Sequence, residues 1–174
     1  MITVRGCDST SSRWPELNEI TPRISKCDPT IWGKEAQAEA SIRLGWVSLP
    51  ESSRELLPQL DALCAWSRER GHSNFILCGM GGSSLAPEVI AATYGKKLTV
   101  LDSTEPNQVW SARQCDLKST CIIIGSKSGS TIETASHKSF FTKAFRDEGL
   151  DPADHIVIVT DPGSPLDKSS REEG

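Results

Sequence analysis

Four short apolar runs in the second half of the chain constrain its fold more than any other feature. They occupy residues 75–78 (FILC), 98–101 (LTVL), 121–124 (CIII) and 155–159 (HIVIV). Because the runs are continuously apolar and do not alternate, they indicate strands buried on both faces, which is typical of a parallel sheet. Helical patterns lie between them, at about residues 84–93, 106–115 and 131–147. The sequence therefore predicts an α/β fold with a parallel sheet and flanking helices; a mixed sheet with one antiparallel edge strand is the alternative.

The composition narrows the class of protein. At 174 residues the chain fits one domain, and its net charge of -4 offers no broad basic field for nucleic acid. Neither a leader-like segment nor an apolar stretch of about 20 residues is present, so we expect a cytoplasmic protein without membrane contact. The six cysteines form no CxxC pair, and the three histidines are scattered. We therefore expect buried reduced thiols and no metal.

The sequence indicates no chemistry in residues 1–30, and it predicts a helix further on, before the first apolar run. Residues 1–30 show no sustained period and are interpreted as a tail or linker. Residues 51–70 place Leu56, Leu60, Leu63 and Cys64 at helical spacing before Gly71. This pattern predicts a helix that covers the sheet and is interrupted or restarted at Pro58.

A glycine-rich loop follows the first apolar run, at residues 79–84 (GMGGSS). Its glycines would let the backbone approach a ligand closely, because no Cβ atoms stand in the way. A helix is predicted to start directly afterwards, with Ser83 or Ser84 as its N-cap. Free N–H groups and the positive end of the helix dipole would then face the same space, which predicts an anion site.

A hydroxyl-rich loop follows the third run, at residues 126–131 (SKSGST). Ser130 and Glu133 have the spacing of a capping box, which would start a helix here. Hydroxyls, amides and the flexible cation of Lys127 suit a phosphate monoester better than a carboxylate. This loop therefore predicts a binding site for a phosphorylated small molecule.

Other interpretations of these loops remain open. A single glycine-rich loop after a strand is also typical of a tight structural turn. A dinucleotide site would use Gly79 and Gly81 with Asp102 as the ribose-binding acid, but Ser84 stands at the third glycine position and the second loop would have no role. The P-loop pattern GxxxxGK[ST] is absent from the sequence.

Four segments together resemble a known family: GMGGSSLAPEV, LDSTEP, SKSGSTIET and VTDPGSPL. In this order and spacing they resemble the first sugar-isomerase (SIS) domain of the glucose-6-phosphate isomerases. The form is most similar to the isomerase half of transaldolase/glucose-6-phosphate isomerase fusion proteins. The resemblance implies a doubly wound parallel sheet over residues 31–174, truncated and incomplete at its C-terminus.

The resemblance also implies a substrate and a site. The substrates would be glucose 6-phosphate and fructose 6-phosphate, with no cofactor and no metal, and the full-length form would be a homo-oligomer. The serine-rich loop of the family holds the phosphate, and the glycine-rich loop lines the sugar. The site residues implied in this chain are Ser126, Lys127, Ser128 and Thr131 for the phosphate, with Gly82 and Ser83 for the sugar.

No catalytic residue is assigned in these 174 residues. The base, the ring-opening groups and the helper arginine of the family come from chain beyond the first SIS domain. Glu133 and His137 could form an acid–base pair, but Glu133 is better explained as a helix cap and its pairing with His137 as a surface contact. We therefore expect a fragment that binds the sugar phosphate and does not isomerise it. A stand-alone SIS module that senses a sugar phosphate is the alternative function, and a dehydrogenase domain is the weaker one.

Overall fold

The computed structural model describes residues 14–173, apart from the side chains of residues 14, 15 and 17. The chain divides into two compact units, residues 1–61 and residues 62–174. The expected division at residue 30 falls within the first unit, and a tail or linker over residues 1–30 stays a prediction. Cys7 lies outside the described residues. Among the described helices, none is long and apolar enough to cross a membrane.

The first unit consists of short helices and turns. They are α1 (Trp14–Ser25), α2 (Gln37–Arg43) and α3 (Leu49–Ser52), with 3-10 turns at Pro29–Trp32, Leu44–Ser48 and Ser53–Leu56. Asp28 starts the first turn, because its carboxylate accepts the Thr30 N–H at 2.9 Å and the Arg23 Nε–H at 2.7 Å. The Thr30 hydroxyl and the Arg23 guanidinium lower the pKa of Asp28 to about 2. These interactions are local and structural, and we assign the unit no chemistry.

The second unit contains a sheet of four parallel strands. The strands are β1 (Asn74–Gly79), β2 (Thr99–Leu101), β3 (Thr120–Gly125) and β4 (Ile156–Val159), in the order β2-β1-β3-β4. Each predicted apolar run differs from its strand by no more than one residue at either end. Every pairing is parallel. The predicted parallel sheet is therefore confirmed, and the alternative with an antiparallel edge strand is wrong.

Helices pack on both faces of this sheet. They are α4 (Leu57–Glu69) before β1, α5 (Gly82–Thr93), α6 (Pro106–Arg113) and α7 (Ile132–Asp147) between successive strands, and α8 (Pro165–Glu173) after β4. On one face, Ile122 and Ile124 are buried against Phe141 and Phe145 of α7. The alternate residues Leu77 and Ile123 point to the other face, where they line a cavity together with Pro87 of α5. The sheet is thus doubly wound, as predicted.

The helix predicted over residues 51–70 forms only from Leu57 onwards, as α4. Pro58 is its second residue, where a proline ring fits the helix start. Gly71 ends the helix with φ +72°, and the N–H of His72 reaches back to the carbonyl of Ser67 at 3.0 Å. The leucine stripe does not cover a core, because Leu60 and Leu63 are 51% and 37% exposed. The predicted helix is therefore confirmed in part: its leucine stripe is not buried, but the end of α4 lies over the sheet, where Trp66 and Ser67 line a cavity with Cys121 and Ile123 of β3.

The described cysteines are free thiols, namely Cys27, Cys64, Cys78, Cys115 and Cys121. Burial raises the pKa of Cys78 to about 12 and that of Cys121 to about 11, so neither is a nucleophile near neutral pH. Both fit the prediction of buried reduced thiols. Cys64 does not, because it is exposed on α4.

Two histidines form a buried pair at the amino end of the sheet. His155 Nδ1 lies 3.0 Å from the carbonyl oxygen of Thr120 and 3.3 Å from His72 Nε2. Because a carbonyl only accepts, His155 donates from Nδ1, and His72 faces it with the lone pair of Nε2. Phe145 stacks on His155 with ring centroids 4.7 Å apart, and Trp66 lies against His72. The pair therefore joins the end of α4 to β3, β4 and α7.

One ion pair flanks the histidines. Arg70 donates to Asp154 Oδ1 at 2.6 Å, and its guanidinium lies over the Trp66 ring. The positive charge of Arg70 faces His72 from the α4 side and Asp154 faces it from the β4 side. Burial lowers the pKa of His72, and the neighbouring His155 and Arg70 lower it further. The folded chain therefore favours a neutral His72.

We expect the free energy of unfolding to fall as the pH drops through 6.5, the ordinary pKa of histidine. The unfolded chain takes up the proton first, so the stability that neutral His72 provides is present above pH 6.5 and is lost below it. His137 adds to this loss, because it is buried on α7 and is not the predicted surface contact, and its burial lowers its pKa. Urea unfolding at about pH 7.5 and about pH 5.5 measures the effect, and His72→Gln should weaken the dependence. Equal urea midpoints at both pH values would contradict the account.

Candidate functional site

The order of the strands reverses between β1 and β3. From β1 the chain crosses to β2 on one side, and it later returns to place β3 on the other side. Gly79 and Gly125, the last residues of β1 and β3, stand opposite each other in the register. The glycine-rich loop and the hydroxyl-rich loop therefore start side by side at the carboxyl edge of the sheet. In open α/β sheets this is the place where ligands bind.

The glycine-rich loop is tighter than the sequence predicts. The N-cap of α5 is Gly81, with φ +56°, instead of Ser83 or Ser84. A glycine can adopt this conformation, so the helix starts earlier, and the buried Ser84 hydroxyl donates to the Gly81 carbonyl at 3.0 Å. The amides of Ser83, Ser84 and Leu85 bond to the carbonyls of Met80 and Gly81. The helix start consequently offers a ligand fewer free donors than expected.

Close packing explains the first glycine of this loop. A Cβ atom on Gly79 would lie 3.1 Å from the carbonyl oxygen of Ser83 and 3.2 Å from the Ser83 Cβ. The end of β1 therefore touches the first turn of α5. This contact holds Ser83 at the edge of the sheet, above the end of β1.

The hydroxyl-rich loop is closed by its own side chains. Ser126 is only 4% exposed, and its hydroxyl donates to Thr131 Oγ1 at 3.0 Å. The Gly129 N–H donates back to Ser126 Oγ at 3.2 Å. Helix α7 starts after Thr131, which has no side-chain cap bond, so the predicted capping box of Ser130 with Glu133 is wrong. The Ser130 hydroxyl bonds to that of Ser128 at 3.0 Å instead.

The loop after β4 supports the hydroxyl-rich loop. Gly129 has φ +67°, and a Cβ atom there would lie 2.6 Å from Ser164 Oγ and 2.9 Å from the Leu166 backbone nitrogen. The Asp161 N–H donates to the Lys127 carbonyl at 3.3 Å. Ser164 is itself held, because its hydroxyl accepts the Asp167 N–H at 3.0 Å. The loops that follow β3 and β4 thus pack against each other.

A cavity of about 420 Å³ opens where these loops meet. It contains three of the predicted site residues, Ser83, Ser126 and Lys127, whereas Gly82, Ser128 and Thr131 are not in its wall. The sequence interpretation missed several residues of the wall, although the TDPGSP turn after the fourth apolar run is a signal for two of them. The missed residues are Leu77, Pro87, Leu98, Ile123, Gly125, Val159, Thr160 and Asp161.

The wall of the cavity has one apolar side and one polar side. Sheet residues provide the apolar side, and hydroxyls, one cation and one carboxylate provide the polar side. Lys127 is exposed, and the ion pairs of residues 14–173 include neither Lys127 nor Asp161. The Lys127 charge is therefore free to meet a ligand anion. Within the described part of the chain, His, Cys, Asp and Glu side chains form no cluster that could hold a metal ion.

Comparison with known proteins gives consistent relatives. No family model matches the chain. A glucose-6-phosphate isomerase from Chlamydia trachomatis serovar D is 34% identical over 106 residues, which are 57% of this chain and 20% of the relative. A glucose-6-phosphate isomerase from Thermus thermophilus is 32% identical over 146 residues, which are 79% of this chain and 34% of the relative.

Solved structures agree with these relatives. A crystal structure of a glucose-6-phosphate isomerase from Chlamydia trachomatis has a TM-score of 0.61 and 26% identity, and the match covers 85% of this chain and 29% of that one. The crystal structure of a hypothetical protein from Thermus thermophilus has a TM-score of 0.64 and 29% identity, and the match covers 93% of this chain and 40% of that one.

These similarities confirm the predicted resemblance to the glucose-6-phosphate isomerases and the SIS-type fold. The chain spans 20% and 34% of the length of the two curated relatives described above. The relation to transaldolase fusion proteins is not tested by these matches and stays a prediction.

Gly129→Ala should destabilise the chain more than Gly163→Ala. Both glycines have positive φ, at +67° and +76°, so both variants carry the left-handed penalty of about 1–2 kcal/mol. Only at Gly129 would the new Cβ meet other atoms, because a Cβ on Gly163 has nothing within 4 Å. We expect a further loss of about 1–3 kcal/mol for Gly129→Ala in urea unfolding. Equal losses would show that the loop after β4 does not support the hydroxyl-rich loop.

Proposed function

We propose that this chain, which is related in sequence and fold to part of the glucose-6-phosphate isomerases, is the sugar-phosphate-binding part of such an enzyme. The cavity between the ends of β1 and β3 would hold glucose 6-phosphate or fructose 6-phosphate. One observation carries the proposal: Lys127, a cation without an ion-pair partner among the described residues, shares a cavity with the hydroxyls of Ser83 and Ser126 at the point where the strand order reverses.

The phosphate is assigned to the hydroxyl-rich loop. Lys127 supplies a point charge, and the Ser126 hydroxyl lies with it in the cavity wall. Ser128 and Thr131 lie outside the wall and are assigned to the phosphate only by the resemblance to the family. The bonds of Ser126 to Thr131 and of Ser130 to Ser128 join hydroxyls to each other, so a phosphate can replace weak neutral partners with charge-assisted ones. The glycine-rich loop has already used three amides internally. It is therefore assigned to the sugar, through Gly82 and Ser83.

The cavity supports binding more than chemistry. Interconversion of an aldose and a ketose phosphate needs a base that moves a proton and a group that stabilises the developing oxyanion. The titratable side chains in the cavity wall are Lys127 and Asp161, and no histidine lies there. Tight binding of the phosphate alone does not accelerate the chemical step. We therefore propose that these 174 residues bind the substrate and that the catalytic groups belong to other parts of the longer protein.

The dinucleotide alternative finds less support. Asp102, the acid it requires beside the glycine-rich loop, lines a separate open surface along β2 and α6. The cavity does not include Asp102, and it does include residues of the hydroxyl-rich loop, for which a dinucleotide site has no use. A stand-alone sensing module would use the same cavity without turnover. A cytoplasmic location and a homo-oligomeric longer form stay predictions.

Lys127→Met should weaken the binding of fructose 6-phosphate by about tenfold or more, because a hydrogen bond to a charged group contributes about 1.5–3 kcal/mol. Lys118→Met is the matched control, because Lys118 is also exposed but precedes β3, at the opposite end of the strand. Isothermal titration calorimetry measures both affinities. Unchanged affinity in Lys127→Met, or equal loss in both variants, would contradict the assignment of the phosphate.

The purified chain should not isomerise glucose 6-phosphate. A coupled assay on material that is free of host isomerase and shown to be folded by circular dichroism measures this directly. We expect no turnover above the blank, because the cavity offers no suitable acid–base pair. Turnover in the ordinary enzyme range of roughly 1–10³ s⁻¹ that disappears in Lys127→Met would show that the site is complete.

A further inference from the structure

We infer that Asp161 determines specificity at this site, by accepting hydrogen bonds from sugar hydroxyls and by disfavouring anions that carry no sugar. The inference rests on the proposed function and adds to it a residue that the glycine-rich and hydroxyl-rich loops do not contain. Asp161 follows β4, two strands away from the glycine-rich loop, and yet it lines the same cavity as Ser83 and Lys127.

The backbone holds Asp161 next to the hydroxyl-rich loop. Its N–H donates to the carbonyl of Lys127 at 3.3 Å, so the two residues sit on neighbouring loops. Its own carbonyl accepts the Ser164 N–H at 3.2 Å, which forms a turn whose serine packs against Gly129. The position of Asp161 is therefore set by the same packed loops that set the position of Lys127.

The two charges remain separate although their backbones are bonded. The ion pairs of the described residues do not include one between Lys127 and Asp161, and within residues 14–173 the Asp161 carboxylate has no hydrogen-bond partner. A cation and a carboxylate that share a cavity without pairing present two different surfaces to a ligand. Lys127 suits the anionic end of a small molecule, and Asp161 suits the end that carries hydrogen-bond donors.

The chemistry of a carboxylate makes this selective. An ionised carboxylate accepts hydrogen bonds and donates none, so it binds hydroxyl groups and repels phosphate oxygens. Inorganic phosphate would be attracted by the charge of Lys127 and repelled by the charge of Asp161 at the same time. A hexose phosphate can place its phosphate at Lys127 and its hydroxyls at Asp161. The cavity volume of about 420 Å³ falls in the usual range for small-ligand sites.

Asp161→Asn should therefore change two affinities in opposite directions. We expect fructose 6-phosphate to bind about tenfold more weakly, because a charge-assisted acceptor is lost. We expect inorganic phosphate to bind about two- to fivefold more tightly, because a repulsive charge in an exposed position is removed. Glycerol 3-phosphate, with fewer hydroxyls, should show a smaller loss than fructose 6-phosphate. Asp161→Glu, which keeps the carboxylate, should retain the preference for the sugar phosphate.

Calorimetry with each ligand tests the inference, and Asp102→Asn is the matched control. Asp102 is also exposed and follows a strand, β2, but it does not line the cavity. Asp102→Asn should leave the ratio of the affinities for fructose 6-phosphate and inorganic phosphate unchanged. If both affinities move in the same direction in Asp161→Asn, or neither moves, while the wild-type chain binds both ligands, this inference alone is wrong. If the wild-type chain binds neither ligand, the proposed function is wrong as well.

Discussion

The parallel pairing of β1 with β3 is the constraint on which the candidate site depends. Their register sets Gly79 opposite Gly125, so the two loops that leave these strands begin as neighbours. Because β2 and β4 lie on the outer sides, neither loop is separated from the other by an intervening strand. The site is therefore a consequence of strand order, and the loops only provide its chemistry.

Packing between loops then gives the site its shape. Gly129 has no side chain at the point where Ser164 and the Leu166 backbone come close, and Gly79 is equally constrained by Ser83. The contact at Gly79 joins the end of β1 to the start of α5, and the contact at Gly129 joins the loop after β3 to the loop after β4. A preformed site loses less conformational entropy when a ligand binds, which favours affinity. The buried histidine pair ties α4 to the opposite end of the same sheet.

The sequence predicted the strands and both loops because continuous apolar runs and clusters of glycine and serine are local signals. It did not predict that Gly81 is the N-cap of α5. Because Gly81 adopts a positive φ, the helix starts before Ser83 and Ser84, the two residues that were expected to cap it. Nor did it predict the Ser126–Thr131 bond, or that Thr131 lies outside the cavity wall. The place of Asp161 depends on the pairing of β4 with β3, and a residue pattern contains no information about that register.

The central claim is that the cavity between β1 and β3 holds a sugar phosphate with a defined orientation. A crystal structure of the chain with fructose 6-phosphate tests it most directly. The account predicts the phosphate within hydrogen-bond distance of Lys127 Nζ and of hydroxyls in the 126–131 loop, with sugar hydroxyls toward Asp161. A phosphate bound instead along β2 beside Asp102, or a sugar turned so that its phosphate meets only the glycine-rich loop, would contradict it.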